Sequence, residues 1–362
     1  MHSTAMTRRL ILGSCVALLS SSATAQTGTA HFTRIDADGM HVETILGQTA
    51  RVQGSGLDPR GSGIVWHVSD PVSIVYSICA GDRTDETWLG NNLNFERLTS
   101  IATSGDGAPI FEFNDKTNSD VIAVASAENA SLAVMLRGFA NPPMPAAVRG
   151  FTRAGGSTPL WTFSFEPEFV LADFHGVDVS GDGALVAAVA RDGVKNKSHV
   201  VLLDGATGVE IRRLQFDSLV PAVELSDDGS RLVVTDAATA RVYRTSDLTE
   251  LVSFGVGGQG GFARISRDGT TVAAGGFNYM AWREVGGAWT QILNRSDPNS
   301  WFGSALALSG NGDTLFAPSY NFATGYLELT YRVVDLVGEG APEVARATTT
   351  GTGGYQDTLQ GA

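Results

Sequence analysis

The chain has 362 residues, with 25 lysines and arginines against 38 aspartates and glutamates, and 43% of its residues are hydrophobic. A formal charge of −13 argues against a nucleic-acid partner, because phosphate contacts require a basic face. Glycine reaches 43 residues while proline stays at 12, which excludes collagen and Pro/Gly-rich disorder and points to many tight turns between short strands.

The chain opens with Arg8-Arg9, an apolar run from Leu10 to Leu19, and small residues ending Ala23-Thr24-Ala25. That is the order of a secretory signal peptide, so residues 1–25 are expected to be removed by cleavage near Ala25. The apolar run is shorter than the roughly 20 residues a bilayer requires, and no transmembrane anchor is expected. Arg8-Arg9 also fits a loose twin-arginine pattern. Leu12-Gly13-Ser14-Cys15 resembles a lipobox, which makes a lipoprotein anchored through Cys15 the alternative. Either route places the mature chain outside the cytoplasm, periplasmic or secreted. Cleavage leaves Cys79 as the single cysteine, so no internal disulfide and no cysteine-based metal site can form, and a lone exported thiol is expected to be buried and inert.

From there a repeat runs along the chain. Val177–Gly183 (VDVSGDG), Val223–Gly229 (VELSDDG), Ala263–Gly269 (ARISRDG) and Leu306–Gly312 (LALSGNG) each give an alternating strand followed by S-x-[DN]-G. Asp-Gly and Asn-Gly pairs supply the positive φ angles of a two-residue hairpin turn, and a second apolar strand follows each one. The turns fall at 182, 228, 268 and 311, with weaker copies at Arg34–Gly39, around Asp82 and at Val124–Asn129. A second hairpin closes each unit, as in Ser157–Phe163 and Gly107–Phe113. In the first unit the closing strand is expected at Ile64-Val65-Trp66. Seven units follow: 27–69, 70–115, 116–167, 168–217, 218–255, 256–297 and 298–347. Each has room for four short strands and none for a buried helix.

Four-stranded units of this length, repeated seven times, describe an all-β fold, a β-propeller of seven four-stranded blades over 27–347, with six or eight blades as alternatives. One such sheet has two apolar faces and cannot bury them alone, whereas radial stacking buries both. Residues 348–362 read as a flexible tail, or as a strand around Tyr355–Leu359 that closes the ring.

The S-x-[DN]-G hairpins and the strand Ser157–Phe165 (STPLWTFSF) resemble the quinoprotein-like and WD40-like propellers of secreted bacterial and archaeal proteins, over residues of about 30–347. The Gly-His and Trp-Asp pairs of WD40 blades are absent. Asp204-Gly205-Ala206-Thr207-Gly208 matches the D-x-x-T-G core of a quinoprotein blade once, with Ile211 near the place where that motif keeps a tryptophan. The resemblance implies the propeller fold. Quinone-dependent dehydrogenases of this kind use a cysteine pair and calcium, from which one mature cysteine departs, and no cofactor is expected.

No catalytic residue is expected. The acidic turns lack the alternating ligands and closing glutamate of an EF-hand loop. His31, His41, His67, His175 and His199 show no metal-ligand spacing. Ser304 sits in Gly303-Ser304-Ala305 without the strand-to-helix context of a nucleophile elbow, and the glycine run 255–261 links strands rather than opening a helix. More informative are the aromatics that precede inner strands: Phe174 and His175, Phe262, and Trp301 with Phe302. The chain crosses there from one blade to the next, at one mouth of the central channel. These five residues are the candidate ligand-binding site, for a sugar, a peptide or a planar ligand, with inter-blade packing as the alternative. The expected function is an exported, non-catalytic binding or scaffold module for a protein or glycan partner. The alternative is a propeller enzyme, either a quinoprotein-like oxidoreductase or a lactonase- or glycosidase-like hydrolase.

Overall fold

The computed structural model describes the strands named below and, with short gaps, residues 110–346; before residue 110, side chains are described only at Cys79, Trp88, Leu98 and Thr99. Among the described residues the fold is nearly all β, with two single-turn 3₁₀ segments, Arg153–Gly155 and Phe322–Thr324. Ile74–Asp115 form a four-stranded antiparallel sheet, the second in chain order. Four-stranded sheets follow at Ser119–Ser164, Val177–Phe216, Ala222–Gly255 and Ala263–Ser296, each ordered as in the sequence. The first sheet joins Leu12–Leu19, Thr29–Asp36 and Gly39–Leu46, with Thr358–Gln360 paired to the far side of Leu12–Leu19. That sheet therefore draws a strand from the segment read as an export signal.

In the seventh sheet Ala307–Leu308, Thr314–Phe316, Glu328–Asp335 and Glu343–Thr350 lie side by side, and Ser319–Asn321 extends the second strand beyond Pro318. Proline lacks the ladder N–H, which accounts for the break. Ser300–Trp301 pairs with Ser319–Asn321. The innermost strands neighbour one another in order, and Ala307–Leu308 neighbours Leu12–Leu19 in turn, so the order of neighbours returns to its start. This is a β-propeller with seven blade-like sheets among the described residues. A short extra pair, Arg51–Val52 with His67–Val68, follows the first sheet, while the strand expected at 64–66 lies outside the described residues.

Alternation along the strands explains the stacking. On Leu185–Asp192, Val186, Ala188 and Ala190 point into the core shared with the third sheet, whereas Ala187 and Val189 point into the core shared with the fifth. Equivalent cores join the second sheet to the third, the fifth to the sixth and the sixth to the seventh. Both faces of a middle strand are thus buried, so these strands read as unbroken apolar runs. Outer strands such as Glu210–Phe216 are largely exposed.

The S-x-[DN]-G motif closes its turn in a way that differs from the expectation. In four copies the serine hydroxyl donates to the Asp or Asn two residues on, at 2.6–2.8 Å. The same hydroxyl oxygen accepts the N–H of the residue five on, at 2.8–3.0 Å. Only the glycines, Gly183, Gly229, Gly269 and Gly312, carry positive φ, between 65° and 77°. The connection is a four-residue loop capped by the serine, not a two-residue turn. In the weaker third-sheet copy Ala127 stands in the serine position and keeps only the backbone bond, from its N–H to Leu132 O.

The D-x-x-T-G core also has a physical role. Asp204 accepts the Thr207 N–H and hydroxyl, and Gly208 turns at φ 70°. The Trp161 indole of the preceding sheet donates to Gly205 O at 2.8 Å and lies against Gly208, where a Cβ would come within 2.5 Å of the ring. A tryptophan from one blade is thus seated on the turn of the next.

Candidate functional site

Four residues before the turn Asp in the fourth, fifth and sixth sheets stand Asp178, Glu224 and Arg264, in the middle of innermost strands. Each reaches the neighbouring sheet. Asp178 Oδ2 accepts the Leu225 N–H at 2.7 Å, and Glu224 Oε2 accepts the Ile265 N–H at 2.8 Å. Arg264 Nε donates to Leu306 O at 2.8 Å. Its Nη2 lies 3.0 Å from His175 Nδ1, a contact that requires the imidazole proton on Nε2. The seventh sheet has Ala307 at the equivalent position, where the chain of charges ends.

Asp178 and Glu224 keep some accessible surface, yet protein encloses them on most sides. Burial pushes Asp178 up to about 6, against the pull of the Leu225 and Val179 N–H groups and the Arg264 charge. Burial also pushes Glu224 up to about 7; the Arg264 charge opposes this and the Asp178 charge adds to it. Two carboxylates around one guanidinium leave one negative charge uncompensated, which favours retaining a proton near neutrality.

At the other end of the same strands the turn residues form a belt of backbone bonds. Glu128 N–H donates to Gly181 O, Gly181 N–H to Asp227 O, Asp227 N–H to Arg267 O and Arg267 N–H to Gly310 O, at 2.8–3.1 Å. Arg267 Nη1 meets Glu128 Oε1 at 2.6 Å, joining the sixth sheet to the third across the axis. These residues, with Asp182, Asp228, Asp268 and Asn311, line a cavity of about 790 Å³. Burial lowers the Arg267 value. Among the described residues no group of three or more His, Cys, Asp or Glu side chains is placed to hold a metal ion.

Of the five aromatic-site residues expected from sequence, His175 and Phe262 meet edge to face at 4.8 Å. His175 is buried, and its carbonyl accepts the Val223 N–H at 3.0 Å. Trp301 is half-buried and packs on Tyr320 at 5.1 Å. Phe302 is wholly buried against Tyr279 and under the Arg332 guanidinium, so it offers a ligand no surface. Phe174 lies outside the described residues. The axial charges Asp178, Glu224 and Arg264 were not among the expected residues, although their common offset from the turn was visible in the repeat. The Cys79 thiol is half-buried and donates to Ser126 Oγ at 3.8 Å.

No protein-family model matches the chain, and no curated protein matches it. Solved structures do. A candidate 6-phosphogluconolactonase from Bacteroides fragilis is similar at a TM-score of 0.58 and 11% identity, covering 100% of both chains. The β-propeller domain of Myceliophthora thermophila Cps50 (Swd1) gives 0.55 and 10%, over 76% of this chain and 88% of that one. A chain of the mitotic checkpoint complex gives 0.57 and 12%, over 88% and 93%. At these identities the likeness is one of fold alone: the chain is a β-propeller. Among the described residues no helix is long and apolar enough to cross a membrane.

Proposed function

We propose that this propeller is an exported binding or scaffold module that receives a protein or glycan partner at a mouth of its ring. The observation that carries this reading is the use made of the axial charges. Asp178, Glu224 and Arg264 each hold the next sheet, and the Arg264–His175 and Arg267–Glu128 contacts tie non-adjacent sheets across the axis. Polar groups committed to holding blades leave the two mouths as the surfaces available for recognition. A photo-crosslinking residue placed at Phe277 or Asn311, at opposite mouths, should capture partner from an envelope extract, and the same group at Val209 on the outer rim should not. Equal capture from all three positions would overturn the reading.

Export rests on the n-region, apolar run and Ala23-Thr24-Ala25 pattern. Cleavage near Ala25 takes Leu12–Leu19 out of the first sheet, so a mature chain whose mass retains residues 12–19 would refute export by this route. One observation favours a second reading. The Asp178–Glu224 pair has raised pKa values, the weakened acidity that a hydrolase uses for acid–base work, and the Bacteroides fragilis relative in fold is a candidate lactonase. Turnover of a lactone or glycoside substrate that Glu224→Gln abolishes would establish that reading in place of the binding module.

A further inference from the structure

Asn311-Gly312 is the single Asn-Gly pair in the sequence. It occupies the turn of the seventh sheet, where the other three serine-capped loops have Asp-Gly. In an Asn-Gly pair the backbone can attack the side chain, because glycine has no Cβ to shield its nitrogen from the preceding amide carbon. The step needs two freedoms. The side-chain amide must turn its face to the Gly312 nitrogen, and that nitrogen must give up its proton.

The loop withholds both. Asn311 is exposed, yet its amide is held at each end: Oδ1 accepts from Ser309 Oγ at 2.8 Å and from the Asp313 N–H at 3.2 Å, and Nδ2 donates to Asp313 Oδ2 at 2.9 Å. Gly312 is buried. Its N–H donates to Ser309 O at 2.7 Å, and its carbonyl accepts from Arg283 Nη2 at 2.6 Å. It turns at φ 69°, and a Cβ there would run into Thr271 Oγ1, so the peptide has little room to rotate. Ser309 ties the two halves together, since its hydroxyl oxygen also accepts the Thr314 N–H at 2.8 Å. Contacts confined to one loop can open while the sheets stay folded.

We propose that Asn311 is a self-modification site, a deamidation switch gated by its own loop. When the loop opens, the Gly312 nitrogen loses its proton to solvent and bonds to Asn311 Cγ. The Cγ–Nδ2 bond breaks, and Nδ2 takes a proton from solvent and leaves as ammonia, giving a cyclic succinimide. Water then adds to either ring carbonyl, leaving aspartate or isoaspartate at position 311. Either product faces Asp313 with a carboxylate where a donor stood. Isoaspartate also lengthens the main chain of the loop by a carbon, so the serine cap does not re-form around it. The product adds a negative charge to the turn-end cavity, whose lining already sets Glu128, Asp182, Asp227, Asp228 and Asp268 against Arg267. Conversion runs one way and leaves the crossing mouth untouched.

The test is peptide-mapping mass spectrometry of the full chain incubated at pH 8, folded and in guanidinium chloride, with isoaspartate read by enzymatic methylation. In guanidinium chloride Asn311 should convert, faster as pH rises; the folded chain should convert it about a hundredfold more slowly. Ser309→Ala and Arg283→Met, each shown to be folded by circular dichroism, should speed the folded-state rate about tenfold. Ser226→Ala, which removes the same cap from the fifth sheet, should leave that rate unchanged. The proposal is overturned if Asn311 stays intact in the unfolded chain, or if the folded chain converts it equally fast. It is also overturned if Ser226→Ala speeds conversion as much as Ser309→Ala, because opening is then global. Should Ser309→Ala fail to fold, Arg283→Met decides alone, and an unchanged rate in it refutes the gate.

Discussion

The two ends of the ring are made by the same seven-fold repetition, yet different forces hold them. At the turn end, order is local and polar: a serine caps the loop in the fourth to seventh sheets, and neighbouring loops from the third sheet to the seventh exchange one backbone bond each. At the crossing end there is no shared motif, and rings set the geometry, packed between sheets at His175–Phe262 and Tyr279–Phe302 and within the seventh sheet at Trp301–Tyr320. Between them the charges of Asp178, Glu224 and Arg264 fasten consecutive innermost strands. A fold can thus repeat one end strictly and leave the other free to vary, which is where recognition is expected to concentrate.

The sharpest way to break this division is to remove the guanidinium that faces Asp178 and Glu224. Arg264→Met leaves two enclosed carboxylates without their counter-charge and should cost about 3–5 kcal/mol at pH 8, as loss of one partner of a buried ion pair does. Urea denaturation measures it. Repeated at pH 5, where Asp178 and Glu224 retain protons, the loss should shrink markedly; an equal loss at both pH values would mean that Arg264 acts by packing alone.

The wild-type chain should carry the complementary pH signature. Folded-state values of about 6 and about 7 lie above the ordinary carboxylate range, so the folded chain holds protons that the unfolded chain has released. The stability arising from that excess is present near pH 4 and is lost as pH rises through 7. Turn carboxylates such as Asp228 and Asp268 are lowered, by serine and backbone hydrogen bonds that outweigh burial, and act in the opposite sense at more acidic pH. Glu224→Gln should flatten the upper part of the slope between pH 6 and 7.5. An unchanged slope would place the titration elsewhere.

These contrasts also explain what could be read from sequence. The turn motif is local, so its Ser, Asp and Gly announced hairpins, sheet order and repeat length. Its loop type escaped because Asp-Gly alone suggests a two-residue turn, and only the Ser180–Leu185 type of bond reveals four. Phe262 and His175 were visible as aromatics at a repeated offset and do meet, but the same offset also selected Phe302, which is core; spacing along a chain does not report which side of a crossing faces solvent. Asp178, Glu224 and Arg264 recur four residues before the turn, a signal present in the alignment of repeats. Their chemistry depends on enclosure by neighbouring sheets, which no single repeat encodes. Phe277 and Phe322 carry no shared offset, and only the folded chain brings them together, edge to face.

At the turn end, Ser266→Ala isolates one cap. Ser266 is fully buried, and its loss leaves the Thr271 N–H without its acceptor, while Asp268 loses one donor and keeps the Thr270 N–H and hydroxyl. The expected cost is about 1–2 kcal/mol, the range for stranding a buried donor. A thermal melt should register it, and an unchanged melting temperature would show that the loop does not depend on its serine cap.

The mildest change concerns the one copy that departs from the pattern. Asn311 takes the place of the turn Asp: its Oδ1 accepts from Ser309 at 2.8 Å and from the Asp313 N–H at 3.2 Å, while its Nδ2 donates to Asp313 Oδ2 at 2.9 Å. The other three copies have Ala184, Ser230 or Thr270 where this one has Asp313. Asparagine therefore suits this loop because a second carboxylate already sits two residues on and needs a donor facing it. Asn311→Asp keeps the serine cap but turns that donor into a like charge, at a cost of about 0.5 kcal/mol that salt should screen. Asn311→Asp with Asp313→Ala restores the pattern of the other copies and should recover the loss. If the single variant were instead stabilising at low salt, Arg283, which reaches Asp313 at 3.3 Å, would be holding both carboxylates, and the turn end would depend on ion pairing rather than on its serine caps.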